Sequence, residues 1–136
     1  MGYYLAKSEP STYSIDDLQR DQYTLWDGVT NPQAVKAILA MRTGDKVFIY
    51  HSGGVSAIVG VATVRTDGRP DPKNPKSAVA DLAFSAKLDP PTTLAEIKES
   101  HLFDDWALVR QSRLSTMAVP DSFVAWLRKR YPKTKL

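Results

Sequence analysis

The sequence predicts an α+β fold, a small, curved mixed β-sheet or barrel flanked by short helices. Three observations carry that prediction. Ala80, Leu82, Phe84, Ala86 and Leu88 alternate with Asp81, Ser85 and Lys87, the period-2 pattern of a half-buried strand. Asn31-Pro32 precedes Val35, Ile38 and Leu39, whose i, i+3, i+4 spacing is that of an amphipathic helix behind a capping residue. The order of elements is a strand, a short helix, a longer helix, then several antiparallel strands interrupted by short helices.

Taken in order, residues 3–7 form an aromatic-rich strand closed by Ser8-Glu9-Pro10. Ser14 and Asp17 resemble a capping box, so residues 15–20 are predicted as one or two helical turns. Trp26-Asp27-Gly28 then sets an aromatic plate and polar groups on a turn. Pro32 suits the first position of the next helix, and Gly44 is placed at its C′ end. Residues 46–50 and 57–65 read as an antiparallel hairpin around His51-Ser52-Gly53-Gly54. Gly68, Pro70, Pro72 and Pro75 mark residues 67–76 as an exposed loop, and Pro90-Pro91 is read as the end of the alternating strand. Thr93 and Glu96 cap a helix over residues 94–99. Residues 103–111 are ambiguous, with Trp106, Leu108 and Val109 assigned to the core. Residues 113–119 are read as a last strand. Pro120 and Asp121 open a final helix whose Phe123, Val124, Trp126 and Leu127 pack back on the sheet.

With 136 residues and 43% hydrophobic content, the chain is read as one folded domain over residues 1–136. No apolar run reaches the roughly 18 residues of a membrane span, and no signal-peptide pattern opens the chain, so a cytoplasmic location without membrane association is expected. The absence of cysteine excludes disulfides, thiolate zinc sites and a thiol nucleophile. The net charge of +3 is concentrated in Arg128, Lys129, Arg130, Lys133 and Lys135, which leaves the rest of the chain slightly acidic. Such a tail holds phosphates, or it is a solvated helix end favoured by the helix dipole.

Enzyme templates find little support. There is no Gly-x-Ser-x-Gly elbow, phosphate loop, zinc-protease motif or dinucleotide fingerprint. His51 and His101 are the only histidines and no carboxylate–histidine cluster accompanies both, so no metal and no cofactor are expected. Ser8, His51 and Asp27 can be written as a catalytic triad, without any supporting signature. Binding templates fit better. A planar base needs an aromatic face to stack on and a few donors and acceptors to read its edge. Trp26 lies outside any periodic apolar face and has two readings, a wall of a ligand site or a loop anchor packed on the core. Asp27 and Asn31 are ligand contacts or caps of the following helix. His51 and Ser52 suit a turn as well as a site. Trp106 and Trp126, among apolar neighbours, are read as core.

The strings Lys7-Ser8-Glu9-Pro10, Tyr13-Ser14-Ile15-Asp16-Asp17-Leu18 and Trp26-Asp27-Gly28-Val29 with Asn31 resemble the EVE domain family. Further matches are Met41-Arg42-Thr43-Gly44-Asp45, Tyr50-His51-Ser52, Ile58-Val59-Gly60-Val61-Ala62, Arg69-Pro70-Asp71-Pro72 and Arg113-Leu114-Ser115. They run in order through nearly the whole chain. The family belongs to the PUA-like group and is similar to YTH domains, which bind methylated adenine in RNA. The resemblance implies a PUA-like curved sheet and a pocket for a modified base. Methylated or hydroxymethylated cytosine in DNA, or a modified RNA base, is the implied ligand.

Carried over residue by residue, the resemblance implies pocket walls from Lys7, Ser8 and Glu9, from Trp26, Asp27, Gly28, Val29 and Asn31, from Tyr50, His51 and Ser52, and from Arg113, Leu114 and Ser115. Trp26 would stack on the base, while Ser8, Asn31 and backbone groups would read its edge. Arg110, Arg128, Lys129 and Arg130 are the weaker candidates for phosphate contacts. The chain departs from the family where an Arg is replaced by Thr30 and an aromatic by Pro32. The expected function is a non-enzymatic, monomeric nucleic-acid-binding module. The alternatives are a nuclease-like enzyme using Glu9, Asp27 or His51, and a sensor of a small nucleobase-like ligand.

Overall fold

The computed structural model describes residues 2–136. Along the chain come β1 (Tyr3–Ser8), α1 (Ile15–Asp21), β2 (Tyr23–Val29), α2 (Pro32–Ala40), β3 (Lys46–His51), β4 (Ala57–Asp71), β5 (Asn74–Thr93), α3 (Leu94–Glu99), α4 (Ala107–Arg110), β6 (Thr116–Ala118) and α5 (Asp121–Arg130). The strands form one mixed sheet in the order β2-β5-β4-β3-β1-β6. β1 and β3 are parallel, which the intervening α1, β2 and α2 make possible by supplying a crossover. The other pairs are antiparallel.

The helix starts are those the capping residues dictate. The Ser14 hydroxyl accepts from the Asp17 amide while the Asp17 carboxylate accepts from the Ser14 amide, and Thr93 and Glu96 repeat the arrangement for α3. Asn31 Oδ1 accepts from the amides of Gln33 and Ala34 at 2.9 and 3.1 Å, with Pro32 following at the first helical position. Gly44 is not at C′ as expected. α2 ends at Ala40, and Gly44 turns the chain into β3 instead. Leu39 also falls outside the buried stripe of α2, which is made by Ala34 and Ile38.

Both faces of the sheet are covered, because successive residues of a strand point opposite ways. Phe48 of β3 meets Phe123 of α5, which also contacts Phe103, Trp106 and Trp126. The next pair along, Ile49 and Gly60, lies on the other face, where Gly60 leaves room for Ile15 of α1. The alternation of Ala80, Leu82 and Leu88 against the exposed Ser85 and Lys87 is present in β5 as expected.

Two expected breaks in the sheet are not breaks. Residues 67–76, read as an exposed loop, are the far end of the β4–β5 hairpin, which pairs out to Asp71 opposite Asn74. Register shifts at Thr66/Arg69 and Pro70/Asp71 accommodate Pro70 and Pro75 at bulges, and Pro72 lies in the turn between the two strands. Pro90-Pro91 likewise does not end β5. The chain leaves register after Lys87, opposite Gly60, and rejoins with Thr92 opposite Ile58. The last strand is shorter than residues 113–119 suggest: only Thr116–Ala118 pairs with β1.

These bulges curl the sheet until its edge strand β2 comes opposite the C-terminal end of β1. The two do not pair. The seam left open between them is a cavity.

Candidate functional site

The cavity measures about 620 Å³, within the roughly 300–1,000 Å³ range of small-molecule sites. One wall is the end of β1 and the turn after it, through Lys7, Ser8, Glu9, Thr12 and Tyr13. The facing wall is Thr24 to Val29 of β2, continued by Thr30 and Asn31 at the start of α2, and Ser115 closes the third side.

Trp26 is in an edge strand, not in a turn. It pairs with Ala80 of β5, and the exposure of β2 alternates, with Tyr23 and Leu25 outward and Thr24 and Trp26 half-buried. Trp26 packs partly against the core and also lines the cavity. A bulge between Trp26 and Val29 takes the chain across the mouth. Gly28 sits in that bulge with φ 75°, where a side chain would be strained. β2 is the end strand of the sheet, so its outer edge presents unpaired backbone groups on the cavity side.

Lys7, Ser8 and Glu9 reach the cavity because β1 is held at this end by three neighbours. The Lys7 amide donates to Ser115 O at 2.8 Å, the Ser52 amide donates to Ser8 O at 3.0 Å, and the Thr12 and Tyr13 amides donate to Glu9 O. Lys7 Nζ donates to Ser112 O at 2.9 Å and lies 5.5 Å from the Tyr50 ring centroid. Burial holds its ammonium below the ordinary lysine value. Asn31 commits Oδ1 to the helix, which leaves its amide nitrogen as a donor. The lining thus offers one aromatic plate, a cation, the carboxylates of Glu9 and Asp27, and hydroxyl and amide donors.

Five of the expected pocket residues stand behind or beside the lining: Tyr50, His51, Ser52, Arg113 and Leu114. Tyr50 and Leu114 are buried. Ser52 braces Ser8 by its backbone. His51 Nε2 accepts from the Ile15 amide at 3.0 Å, and so anchors the start of α1. Ser8 Oγ donates to Tyr13 O, so Ser8 and His51 are each engaged elsewhere and do not form a triad. Arg113 is exposed in the loop that also supplies Ser112 and Ser115.

Arg110, Arg128 and Arg130 are tied into the fold. Arg110 bonds Asp105 at 2.9 Å. Arg128 donates to Tyr3 Oη at 2.7 Å, and Arg130 donates to Thr92 Oγ1 at 3.1 Å and pairs with Glu96. Tyr3 and Ser8 are the two ends of β1, separated by roughly 16 Å at about 3.3 Å per residue. Lys129 is exposed.

Thr12, Tyr13, Thr24 and Leu25 line the cavity without having been expected there. Reading residues 23–29 as a strand would have put Thr24 on the same side as Trp26 by period-2 alternation. Tyr13 directly precedes the N-cap Ser14, the position that sets how a chain enters its helix.

A model of the EVE domain family matches residues 2–130. The chain belongs to the EVE domain family. This EVE domain is 32% identical to thymocyte nuclear protein 1 of Gallus gallus over 74% of the chain and 53% of that protein, and 32% identical to the Homo sapiens protein over 73% and 56%. The chain therefore spans about half the length of the curated relatives it matches. Among solved structures, the domain superposes on Rpa0253 from Rhodopseudomonas palustris with a TM-score of 0.89 at 34% identity, covering 100% of this chain and 97% of that one. It superposes on the human THYN1 protein in complex with 5-methylcytosine-containing DNA with a TM-score of 0.87 at 25% identity, covering 99% and 100%. The expected PUA-like α+β class agrees with these neighbours. Among the described residues no helix is long and apolar enough to cross a membrane, and no group of His, Asp and Glu is arranged to hold a metal ion.

Proposed function

We propose that this EVE domain is a non-enzymatic nucleic-acid-binding module that takes a modified base, foremost 5-methylcytosine in DNA, into the seam between β1 and β2. The observation that carries the reading is the human relative with the same fold, whose structure is of a complex with DNA containing that base. The lining supports it. Trp26 offers a face for stacking, Ser8, Thr24 and Asn31 offer hydroxyl and amide groups, and the open edge of β2 offers backbone donors and acceptors for a base edge. A nucleic-acid ligand also accords with the expected intracellular, cytoplasmic location.

Affinity for one oligonucleotide with a single 5-methylcytosine, compared with the same strand unmodified, tests the reading. A preference of about tenfold or more, corresponding to about 1.4 kcal/mol, is expected. Equal affinity for both strands would refute it.

Phosphate contacts are assigned to Arg113 and Lys7, beside the cavity, and not to Arg128 and Arg130, whose guanidinium groups are engaged by Tyr3 and by Thr92 with Glu96. Arg113→Ala should lower the magnitude of the slope of log K against log salt by about one. Replacing Lys129, Lys133 and Lys135 together by Gln should leave that slope unchanged. Substitution is preferable to truncation here, because Tyr131 and Leu136 are buried. A slope that followed the tail would move the DNA path onto the C-terminal residues.

A further inference from the structure

We propose that His51 is a positioning residue for this site: by accepting the Ile15 amide hydrogen it holds the Tyr13 wall of the cavity in place. The proposal rests on the base-binding reading for its ligand. Its geometry is independent of that reading.

Three elements meet behind the wall. Tyr13 lines the cavity, two residues before Ile15, and its carbonyl accepts from Ser8 Oγ of β1. The Ser8 carbonyl in turn accepts from the Ser52 amide, next to His51 at the end of β3. The His51 ring closes the circuit, with Nε2 accepting from Ile15 N at 3.0 Å. β1, the end of β3 and the start of α1 are thus one bonded unit, and the wall is the turn between β1 and α1. The first amides of a helix have no partner within it, so an external acceptor at Ile15 fixes where the helix begins. Ser14 serves the Asp17 amide by its hydroxyl, which leaves Ile15 to His51.

An imidazole that accepts at Nε2 carries its proton at Nδ1 and is neutral. Protonation removes the acceptor and sets two N–H groups against each other. Burial, the largest influence, holds the His51 pKa below its ordinary 6.5. Asp16 of α1 pulls it upward and Lys87 of β5 pushes it down, and these two are paired with each other at 2.7 Å. A depressed folded-state pKa means that the unfolded chain protonates first as pH falls. The contribution of His51 to stability is therefore full above about pH 6.5 and declines below it. The Tyr13 wall should loosen over the same acidic range.

Glutamine places Oε1 near the position of Nε2 and cannot be protonated there, so His51→Gln keeps the acceptor and His51→Ala removes it. At about pH 7.5, His51→Ala is expected to weaken binding of the methylated oligonucleotide by about tenfold, and His51→Gln by no more than about twofold. Between about pH 7.5 and 5.5, wild-type affinity should fall and that of His51→Gln should stay level. Hydrogen exchange at the Ile15 amide, relative to its unstructured rate at each pH, reads the same device without ligand. Protection kept by Gln and lost by Ala is the expected result. Equal protection in wild type and His51→Ala would overturn the proposal, as would equal affinity. Should the wild type show no preference for the methylated strand while Ile15 protection still follows His51, the base-binding reading fails and the positioning role stands.

Discussion

Gly68→Ala is expected to destabilise the protein by about 3 kcal/mol, a large share of the roughly 5–15 kcal/mol that holds a domain of this size. Gly68 donates its amide to Met41 O at 2.9 Å, where β4 crosses the end of α2. A Cβ there would lie 1.7 Å from Ile38 O and 2.7 Å from Ile38 C. These are backbone atoms of a helix, so no rotamer change relieves the clash and strand and helix must separate. Gly53 is the matched control. The nearest atom to a Cβ there is the carboxylate end of Glu9, at 3.2 Å, which can swing away. Gly53→Ala should stay within about 1 kcal/mol of wild type. Urea unfolding of the three proteins decides it, and an unshifted midpoint for Gly68→Ala would mean that β4 does not press against α2.

Trp26→Ala is the second large effect, and it falls on binding. Removing an aromatic face from a stacked base costs about 1–3 kcal/mol. Affinity for the methylated strand should fall by roughly one order of magnitude or more. Trp26 also packs partly against the core, so stability falls with it and must be measured separately by the same urea titration. Trp26→Phe keeps a smaller aromatic face and should recover part of the affinity. A folded Trp26→Ala protein that binds as tightly as wild type would remove the stacking role.

Much of the fold was legible because local chemistry and tertiary structure agree. The caps at Ser14, Asn31 and Thr93 begin helices where those residue types must, and the alternation in β5 survives because one of its faces is buried. What was missed depends on distant partners. Pro70, Pro75, Pro90 and Pro91 read as breakers, yet the long β4–β5 hairpin carries them at bulges that the chain itself does not announce. Trp26 read as a turn residue because Asp27 and Gly28 follow it. The strand exists since β5 offers Ala80 to Leu82 as partners, some fifty residues later in the chain.

The same distinction runs through the site. Lys7, Ser8, Glu9, the run from Trp26 to Val29, Asn31 and Ser115 were marked by family motifs and line one cavity. Tyr50, His51, Ser52 and Leu114 belong to the same motifs but stand behind it as support. A motif does not distinguish a residue that touches a ligand from one that holds its neighbour. That difference appears only when hydrogen-bond partners are known, as with the Ile15 amide on His51.

The most direct measurement is an NMR titration of the backbone amides with an oligonucleotide carrying one 5-methylcytosine, with the unmodified strand run in parallel. If the seam takes the base, residues 7–9, 24–31 and Ser115 shift with the methylated strand and shift less with the unmodified one. Shifts confined to the C-terminal residues 128–135, or identical for both strands, would contradict a modified-base pocket between β1 and β2.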